Sequence, residues 1–208
     1  QFLLWYRKRK ITGMGASTLK ALRDLDMGAH WALSGAQGEN SLGNGAAMRI
    51  APLAFFLDAT KREDRVAIRD VCRITHQSDE AYIGALAILL AIQTPSIEEL
   101  FSFLQANLPD SRVRDRIVEL NKTSVESSIG SIAFTFGASG YVVESVPLAL
   151  YAAQQISKSP FQQILVSVVE TGGDTDTIAS MTGQIVGAWI GSSQIPKEQF
   201  QKLPNINQ

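Results

Sequence analysis

The chain has 208 residues, of which 45% are hydrophobic and 19% charged, and its formal net charge is -1. These values predict one globular domain over residues 1–208 and exclude a disordered chain. A charge near zero gives no indication of nucleic acid as a partner, and no apolar run is long enough to span a bilayer. The single cysteine, Cys72, cannot form an internal disulfide, so we expect a cytoplasmic protein. We expect no membrane partner. The oligomeric state stays open.

Apolar residues recur at helical spacing along the whole chain, and no useful strand alternation is present. We therefore predict an all-α fold of roughly ten helices, from a mean helix length of about 11 residues. The predicted helices cover residues 2–6, 19–25, 46–54, 64–74, 82–92, 96–108, 110–120, 145–151, 161–170, 177–190 and 196–203.

Helix ends are predicted from capping residues. Ser78 is expected to cap the helix over 82–92, and Ser145 is expected to cap the helix that contains Pro147 just inside its start. Gly172 and Gly173 predict a turn, after which Asp176 takes the N-cap position of the last long helix.

Two irregular stretches could bind a ligand. Gly13, Gly15 and Ser17 lie in a glycine-rich turn before a helix, where free backbone N–H groups favour a phosphate. An ordinary turn with a Ser/Thr cap explains the same pattern. The longest irregular stretch, residues 28–45, is rich in Gly, Ser, Ala and Asn, and loops of this kind are often functional.

Asp174, Asp176 and Thr177 follow the Gly172-Gly173 turn and place three oxygen-bearing side chains close together. In a turn such side chains can converge on Mg²⁺, Mn²⁺ or Ca²⁺. The alternative interpretation is that Asp176 only caps the helix and Asp174 is solvated. Because a helix N-terminus repels a cation, a metal here needs further ligands from elsewhere.

The segment GGDTDTIASMTGQIVGAWIG, over residues 172–191, resembles the C-terminal metal-binding segment of the ADP-ribosylglycohydrolases, the dinitrogenase reductase-activating glycohydrolase or ADP-ribosylhydrolase type. GNGAAMRIAPL, over residues 43–53, and the THQS segment over 75–78 resemble the same family. The resemblance runs in the same order from Gly13 to Gly191. It implies a compact orthogonal bundle of helices that binds two Mg²⁺ ions, or Mn²⁺, and hydrolyses a bond to ADP-ribose.

The resemblance also implies roles for particular residues. Asp176 would bridge the two metals, and Asp174 and Thr177 would complete one coordination sphere. The remaining positions would bind the substrate, with the glycine turns at the diphosphate and the Asn44 loop at the ribose side. These substrate-binding positions are Gly13, Gly15, Ser17, Ser41, Gly43, Asn44, His76, Gly172 and Gly173.

One part of the family pattern is not found in this sequence. Members carry an upstream acidic residue and a Thr-Asp-Asp motif, which supply further metal ligands and the acid/base carboxylate. Nothing before Gly13 matches them, and Asp24 and Asp26 lie later in a helical pattern. The general acid/base is therefore expected upstream, and the domain is expected to lack the family's N-terminal segment.

Two hypotheses follow from the sequence. The first is a metal-dependent hydrolase that removes ADP-ribose from a modified protein side chain or from an ADP-ribosyl adduct, by cutting an N- or O-glycosidic bond. The second is a non-catalytic relative that binds an ADP-ribose-like nucleotide or has a structural role. Which ADP-ribosyl bond is cut and which metal is preferred stay open.

Overall fold

Ten α-helices form in the part of the chain that the structure, a computed structural model, describes: residues 1–124 and 126–195. This confirms the all-α prediction. The helices are α1 (Phe2–Arg7), α2 (Ala16–Asp26), α3 (Arg62–Arg73), α4 (Asp79–Ile92), α5 (Leu100–Asn107), α6 (Arg112–Asn121), α7 (Ile129–Phe136), α8 (Val142–Gln154), α9 (Phe161–Val169) and α10 (Thr175–Ile190). None of the described helices is both long and apolar enough to cross a membrane. The helix predicted over 196–203 lies outside the described residues.

Helices α4 and α8 form the centre of the fold. All residues from Ala81 to Ala91 are buried, as is nearly all of α8, which explains why both sequences are apolar on every side. The two helices cross closely at Gly84, where a Cβ atom would lie 2.3 Å from Cγ2 of Val142. Helix α10 packs against α8, α9 and α4, so its N-terminus is held against the core.

Helix α8 begins three residues earlier than predicted. It starts at Val142 and contains Pro147 in its interior, and Ser145 is not its N-cap. The Ser145 hydroxyl donates to the carbonyl oxygen of Tyr141, four residues back, at 3.0 Å. Serine can make this bond inside a helix as well as a capping bond at its end, so the prediction that Ser145 is the N-cap was wrong. Ser78, in contrast, caps α4 as predicted.

The helix predicted over 46–54 is replaced by two 3-10 helices, Ala47–Arg49 and Ala51–Phe55. Pro52 explains the interruption, because it has no N–H to donate to the carbonyl oxygen of Met48 and disfavours α geometry in the residue before it. That carbonyl oxygen accepts from the Gln184 side chain of α10 instead, at 2.9 Å. The segment is thereby tied to α10.

Two very short strands, β1 (Ala36–Gln37) and β2 (His76–Gln77), pair in parallel. Ala36 is opposite His76 in this pair. Strands of two residues leave no alternation in a sequence, so we did not predict them. Their pairing fixes the backbone of His76 against the middle of the long irregular stretch.

The chain turns sharply between α9 and α10, as predicted. Gly172 and Gly173 both have positive φ, +73° and +78°. A Cβ atom on Gly173 would lie 2.1 Å from the carbonyl oxygen of Ala138, which accepts a hydrogen bond from the backbone N–H of Asp174 at 2.8 Å. Because this bond fixes Asp174 just before the helix, Asp174 takes the N-cap position and Asp176 lies in the first turn. The prediction that Asp176 is the N-cap was therefore wrong.

The two turn glycines offer a matched test of this close contact. Gly173→Ala adds both left-handed strain and a clash with Ala138, whereas Gly172→Ala adds only the strain, because no atom of the described residues lies within 4 Å of its Cβ position. Left-handed strain costs about 1–2 kcal/mol in each variant. We expect Gly173→Ala to lose at least about 1 kcal/mol more in urea unfolding, in the range of clash-related losses. Equal losses would contradict the tight packing of Gly173 on Ala138.

Candidate functional site

A cavity of about 350 Å³ collects most of the predicted site residues from five separate parts of the chain. Its lining comes from the start of α2, the segment from Gly43 into the 3-10 helix Ala47–Arg49, strand β2, the loop before α8 and the start of α10. The lining residues are Gly13, Gly15, Ala16, Ser17, Thr18, Gly43, Asn44, Gly45, Met48, His76, Gly140, Asp174, Asp176 and Thr177.

A second, larger cavity of about 610 Å³ lies next to it and shares Met48. Its walls include the exposed rings of Phe55 and Phe56 and the side chain of Ile92. Because this cavity is mainly apolar and its described lining residues include no carboxylate, the smaller polar cavity is the better candidate for chemistry.

The N-terminus of α2 opens into the polar cavity. Gly15 is the N-cap residue and has no side chain to cap the helix. The first intrahelical hydrogen bond runs from Leu19 N–H to Gly15, at 3.0 Å, so the N–H groups of residues 16–18 precede it. The predicted alternative, a Ser/Thr cap, is therefore wrong. These N–H groups lie at the positive end of the helix dipole, the arrangement that favours an anion.

The loop containing Asn44 is held by backbone pairing with the start of α8. Asn44 N–H donates to the carbonyl oxygen of Gly140 at 3.0 Å, and Val142 N–H donates to that of Leu42 at 2.9 Å. Gly43 and Tyr141 form an isolated antiparallel bridge between these bonds. The pairing brings Asn44 to α10 although the two are far apart in sequence.

Asn44 is buried, and its side-chain amide joins α8 to α10. Nδ2 donates to Oδ2 of Asp174 at 2.7 Å and to Oγ of Ser145 at 3.1 Å. Both amide protons are used in these bonds, which leaves Oδ1 for other partners. Asn44 was predicted as a substrate residue, and the structure shows that it also orients a carboxylate.

Asp174, Asp176 and Thr177 lie on one wall of the cavity. Thr177 is buried and its hydroxyl donates to Oδ1 of Asp174 at 3.0 Å, while Asp176 is exposed in the first turn of α10. Carboxylate and hydroxyl oxygens keep free lone pairs after one hydrogen bond, and they suit hard cations such as Mg²⁺. These three residues could therefore hold a divalent cation in part.

The set is incomplete as a metal site. Within residues 1–124 and 126–195, no group of three or more His, Cys, Asp or Glu side chains is arranged to hold a metal ion. Asp24 accepts from Lys20 Nζ at 2.6 Å and Gly35 N–H at 3.0 Å, and Asp26 pairs with Arg7 at 2.7 Å. Both aspartates belong to α2, as expected, and have structural partners.

His76 lies at the back of the cavity with 4% of its surface exposed. Its Nδ1 is 2.8 Å from Oγ1 of Thr75. Burial, with a smaller contribution from the nearby Arg49 charge, lowers the pKa of His76 to about 4. The imidazole is therefore neutral near pH 7.

Three predicted substrate residues do not line the cavity. Ser41 is fully buried, and its Oγ has no hydrogen-bond partner among the described residues. Gly172 and Gly173 form the turn behind Asp174 and act through the backbone there. A direct contact of these three residues with substrate stays a prediction.

Arg49 connects the segment after the Asn44 loop to α3 through neutral hydrogen-bond acceptors. Its Nη2 donates to the carbonyl oxygen of Val71 at 3.0 Å and to Oγ1 of Thr75 at 2.9 Å. The side chain thus ties the segment after the Asn44 loop to the end of α3, using neutral acceptors.

Sequence reasoning missed several lining residues, and the structure shows why. A Cβ atom on Gly45 would lie 2.7 Å from Cε1 of His76, and one on Gly140 would lie 3.4 Å from Oδ2 of Asp174. Both glycines make room for a functional side chain that is distant in sequence, so no local signal marks them. Ala16, Thr18 and Met48 could have been found, because they lie within one helical turn of predicted residues.

The full chain, residues 1–208, matches the family model described as ADP-ribosylglycohydrolase. The chain is 30% identical over 199 residues to the bovine (Bos taurus) ADP-ribosylhydrolase ARH3, covering 79% of this chain and 54% of that protein. It is 27% identical over 210 residues to the ADP-ribosylarginine hydrolase Tri1 of Pseudomonas putida, covering 96% of this chain and 53% of that protein.

Other matches agree with these. An uncharacterized protein of Archaeoglobus fulgidus is 29% identical over 204 residues, covering 88% of this chain and 60% of that protein. The chain therefore spans little more than half the length of these relatives.

A solved structure, titled an ADP-ribosylglycohydrolase-related protein complex, has the same fold. It superposes with a TM-score of 0.70 at 24% identity, over 98% of this chain and 66% of that one. With the family model matched from the first residue to the last, the chain belongs to the ADP-ribosylglycohydrolase family.

Proposed function

We propose that this chain forms the ADP-ribose-binding part of a metal-dependent hydrolase that removes ADP-ribose from a modified protein side chain or another ADP-ribosyl adduct. One observation carries the proposal: the open N-terminus of α2 and the oxygen side chains of α10 face the same cavity. The first suits a diphosphate and the second a divalent cation. Family membership and relatives named as ADP-ribosylhydrolases support the same substrate class.

The diphosphate would bind at the start of α2. Gly13, with φ of +67°, and Gly15 let the backbone approach a ligand without Cβ atoms in the way. The N–H groups of residues 16–18 and the Ser17 hydroxyl would donate to phosphate oxygens. Among the residues that the structure describes, no lysine or arginine lines the cavity, so the dipole and these donors would provide the attraction.

The cation would bind at the start of α10. Asp174, Asp176 and Thr177 would supply oxygen ligands, and Mg²⁺ there would act as a Lewis acid and orient a water molecule when bound. Asn44 keeps Asp174 in place by its 2.7 Å hydrogen bond. The hydroxyl of Thr177 fixes the other oxygen of the same carboxylate. Both bonds would prearrange the carboxylate before a ligand arrives.

A second candidate function is binding of an ADP-ribose-like nucleotide without hydrolysis by this chain. It is favoured by the absence, in the described residues, of a third carboxylate beside Asp174 and Asp176 that could act as general acid or base. Both candidates share the binding step and differ only in turnover.

Calorimetry with ADP-ribose, in Mg²⁺ and in EDTA, tests the binding step. Hydrolysis of ADP-ribosyl-serine and ADP-ribosyl-arginine peptides tests turnover. Metal-dependent binding with turnover supports the hydrolase, and binding without turnover supports the second candidate. No binding in either buffer would contradict both proposals.

Asp176→Ala tests the cation site. Because Asp176 is exposed in the first helical turn, its removal should hardly change stability but should abolish the Mg²⁺-dependent rise in melting temperature that ADP-ribose causes. The matched control is Asp115→Ala, which removes an exposed aspartate from the first turn of α6, outside the cavity. The same loss in both variants would point to a helix-dipole effect alone.

Asn44→Ala tests the orientation of Asp174. We expect ADP-ribose affinity in Mg²⁺ to fall by about 10- to 100-fold, as for other residues that orient metal ligands. Ser145→Ala is the control, because it removes the other hydrogen bond of Asn44 without touching Asp174. Both variants should lose stability, but only Asn44→Ala should lose this affinity in calorimetry. If the loss of ADP-ribose affinity were no larger than the loss of stability explains, the role of Asn44 would be structural only.

A further inference from the structure

Thr75 stands between a charged donor and a histidine of the cavity. Oγ1 of Thr75 accepts a hydrogen bond from Nη2 of Arg49 at 2.9 Å and lies 2.8 Å from Nδ1 of His76. Arg49 has only donors, so the direction of the first bond is fixed. The direction of the second bond depends on which ring nitrogen of His76 carries the proton.

The Thr75 hydroxyl proton decides that direction. Thr75 is 2% exposed, and Nδ1 of His76 is the only acceptor within hydrogen-bond distance of Oγ1 among the described residues. If Nδ1 carried the proton, the buried hydroxyl proton would have no acceptor. An unsatisfied buried donor is costly, so the arrangement with Thr75 donating to Nδ1 is favoured.

The opposite side of the ring faces the cavity. Nε2 of His76 lies beside Gly43 and Gly45, at 3.4 Å and 3.1 Å from the positions their Cβ atoms would take. It makes no hydrogen bond to the described residues, yet it is not among their fully enclosed unpaired atoms. A ligand in the cavity, which both glycines line, can therefore bind Nε2.

We propose that Arg49 and Thr75 are positioning residues that hold His76 in one tautomer, with Nδ1 as acceptor and an Nε2–H donor directed at the cavity. The site then selects a ligand that presents an acceptor, such as a phosphate or hydroxyl oxygen, next to Gly43 and Gly45. The lowered pKa of His76 supports this role, because the donor stays neutral near pH 7. The tautomer rests on the hydrogen bonds alone, and the ligand contact rests on the proposed function.

Ring ¹⁵N chemical shifts from long-range ¹H–¹⁵N NMR test the tautomer directly at pH 7. The chain has two histidines, so His76→Gln assigns the signals. We expect the Nε2–H form in the wild type and in Thr75→Ser, which keeps the hydroxyl. Thr75→Val has nearly the same shape without the donor, so Nδ1 should lose its hydrogen bond and its ¹⁵N signal should move towards that of a free, unprotonated imidazole nitrogen. An Nδ1–H tautomer in the wild type would overturn the proposal, whether or not the variants fold.

ADP-ribose affinity tests the ligand contact separately. We expect Thr75→Val to bind about tenfold more weakly, the loss of roughly one hydrogen bond to a charged group, and Thr75→Ser to restore binding. A changed Nδ1 signal in Thr75→Val with unchanged affinity would overturn the ligand half of the proposal. An Nε2–H tautomer in a protein that does not bind ADP-ribose would instead overturn the proposed function and leave the proposed roles of Arg49 and Thr75 in holding the tautomer intact.

Discussion

The short hydrogen bond between Asn44 and Asp174 is the contact on which the site depends. It joins a loop near the start of the chain to the N-terminus of α10, and the second amide proton reaches Ser145 in the central helix α8. The bond is possible because backbone pairing of Leu42 and Asn44 with the residues before α8 fixes the loop. A buried amide with both protons used has one orientation, so Asp174 is fixed with it. The cavity is thus held by hydrogen bonds as well as by apolar packing.

The site combines two electrostatic environments in a small volume. The start of α2 offers N–H groups and no carboxylate, whereas the start of α10 offers two aspartates that offset its positive end. A ligand with an anionic diphosphate and a metal-binding sugar would match both. His76 adds a neutral polar group to the same cavity, because burial lowers its pKa to about 4. This division of charge is the physical basis for the proposed recognition of ADP-ribose.

The wrong predictions have one cause in common: a local sequence pattern, such as a possible helix cap, is compatible with more than one structure. Ser145 resembles a helix cap in sequence, but its hydroxyl bonds back to Tyr141 and its oxygen accepts from Asn44. Pro52 falls inside the helix predicted over 46–54, and the carbonyl oxygen of Met48 that it leaves free accepts from Gln184 of α10. Asp176 had the spacing of an N-cap, but the backbone N–H of Asp174 donates to the carbonyl oxygen of Ala138. The helix therefore begins at Thr175, earlier in the chain than predicted. In each case the group concerned also binds a partner that is distant in sequence.

The sequence by itself determined the helical class and the turn at Gly172 and Gly173, because helical periodicity and glycine conformations are local properties. Resemblance in sequence also pointed to Asp174 and to the other residues of the cavity wall. Only the tertiary structure decided that Asn44 orients Asp174, that Gly45 and Gly140 make room for His76 and Asp174, and that Thr75 links Arg49 to His76. Some of these contacts join segments that are far apart along the chain, and others depend on burial. Their geometry is set by how the helices pack, which no local pattern encodes.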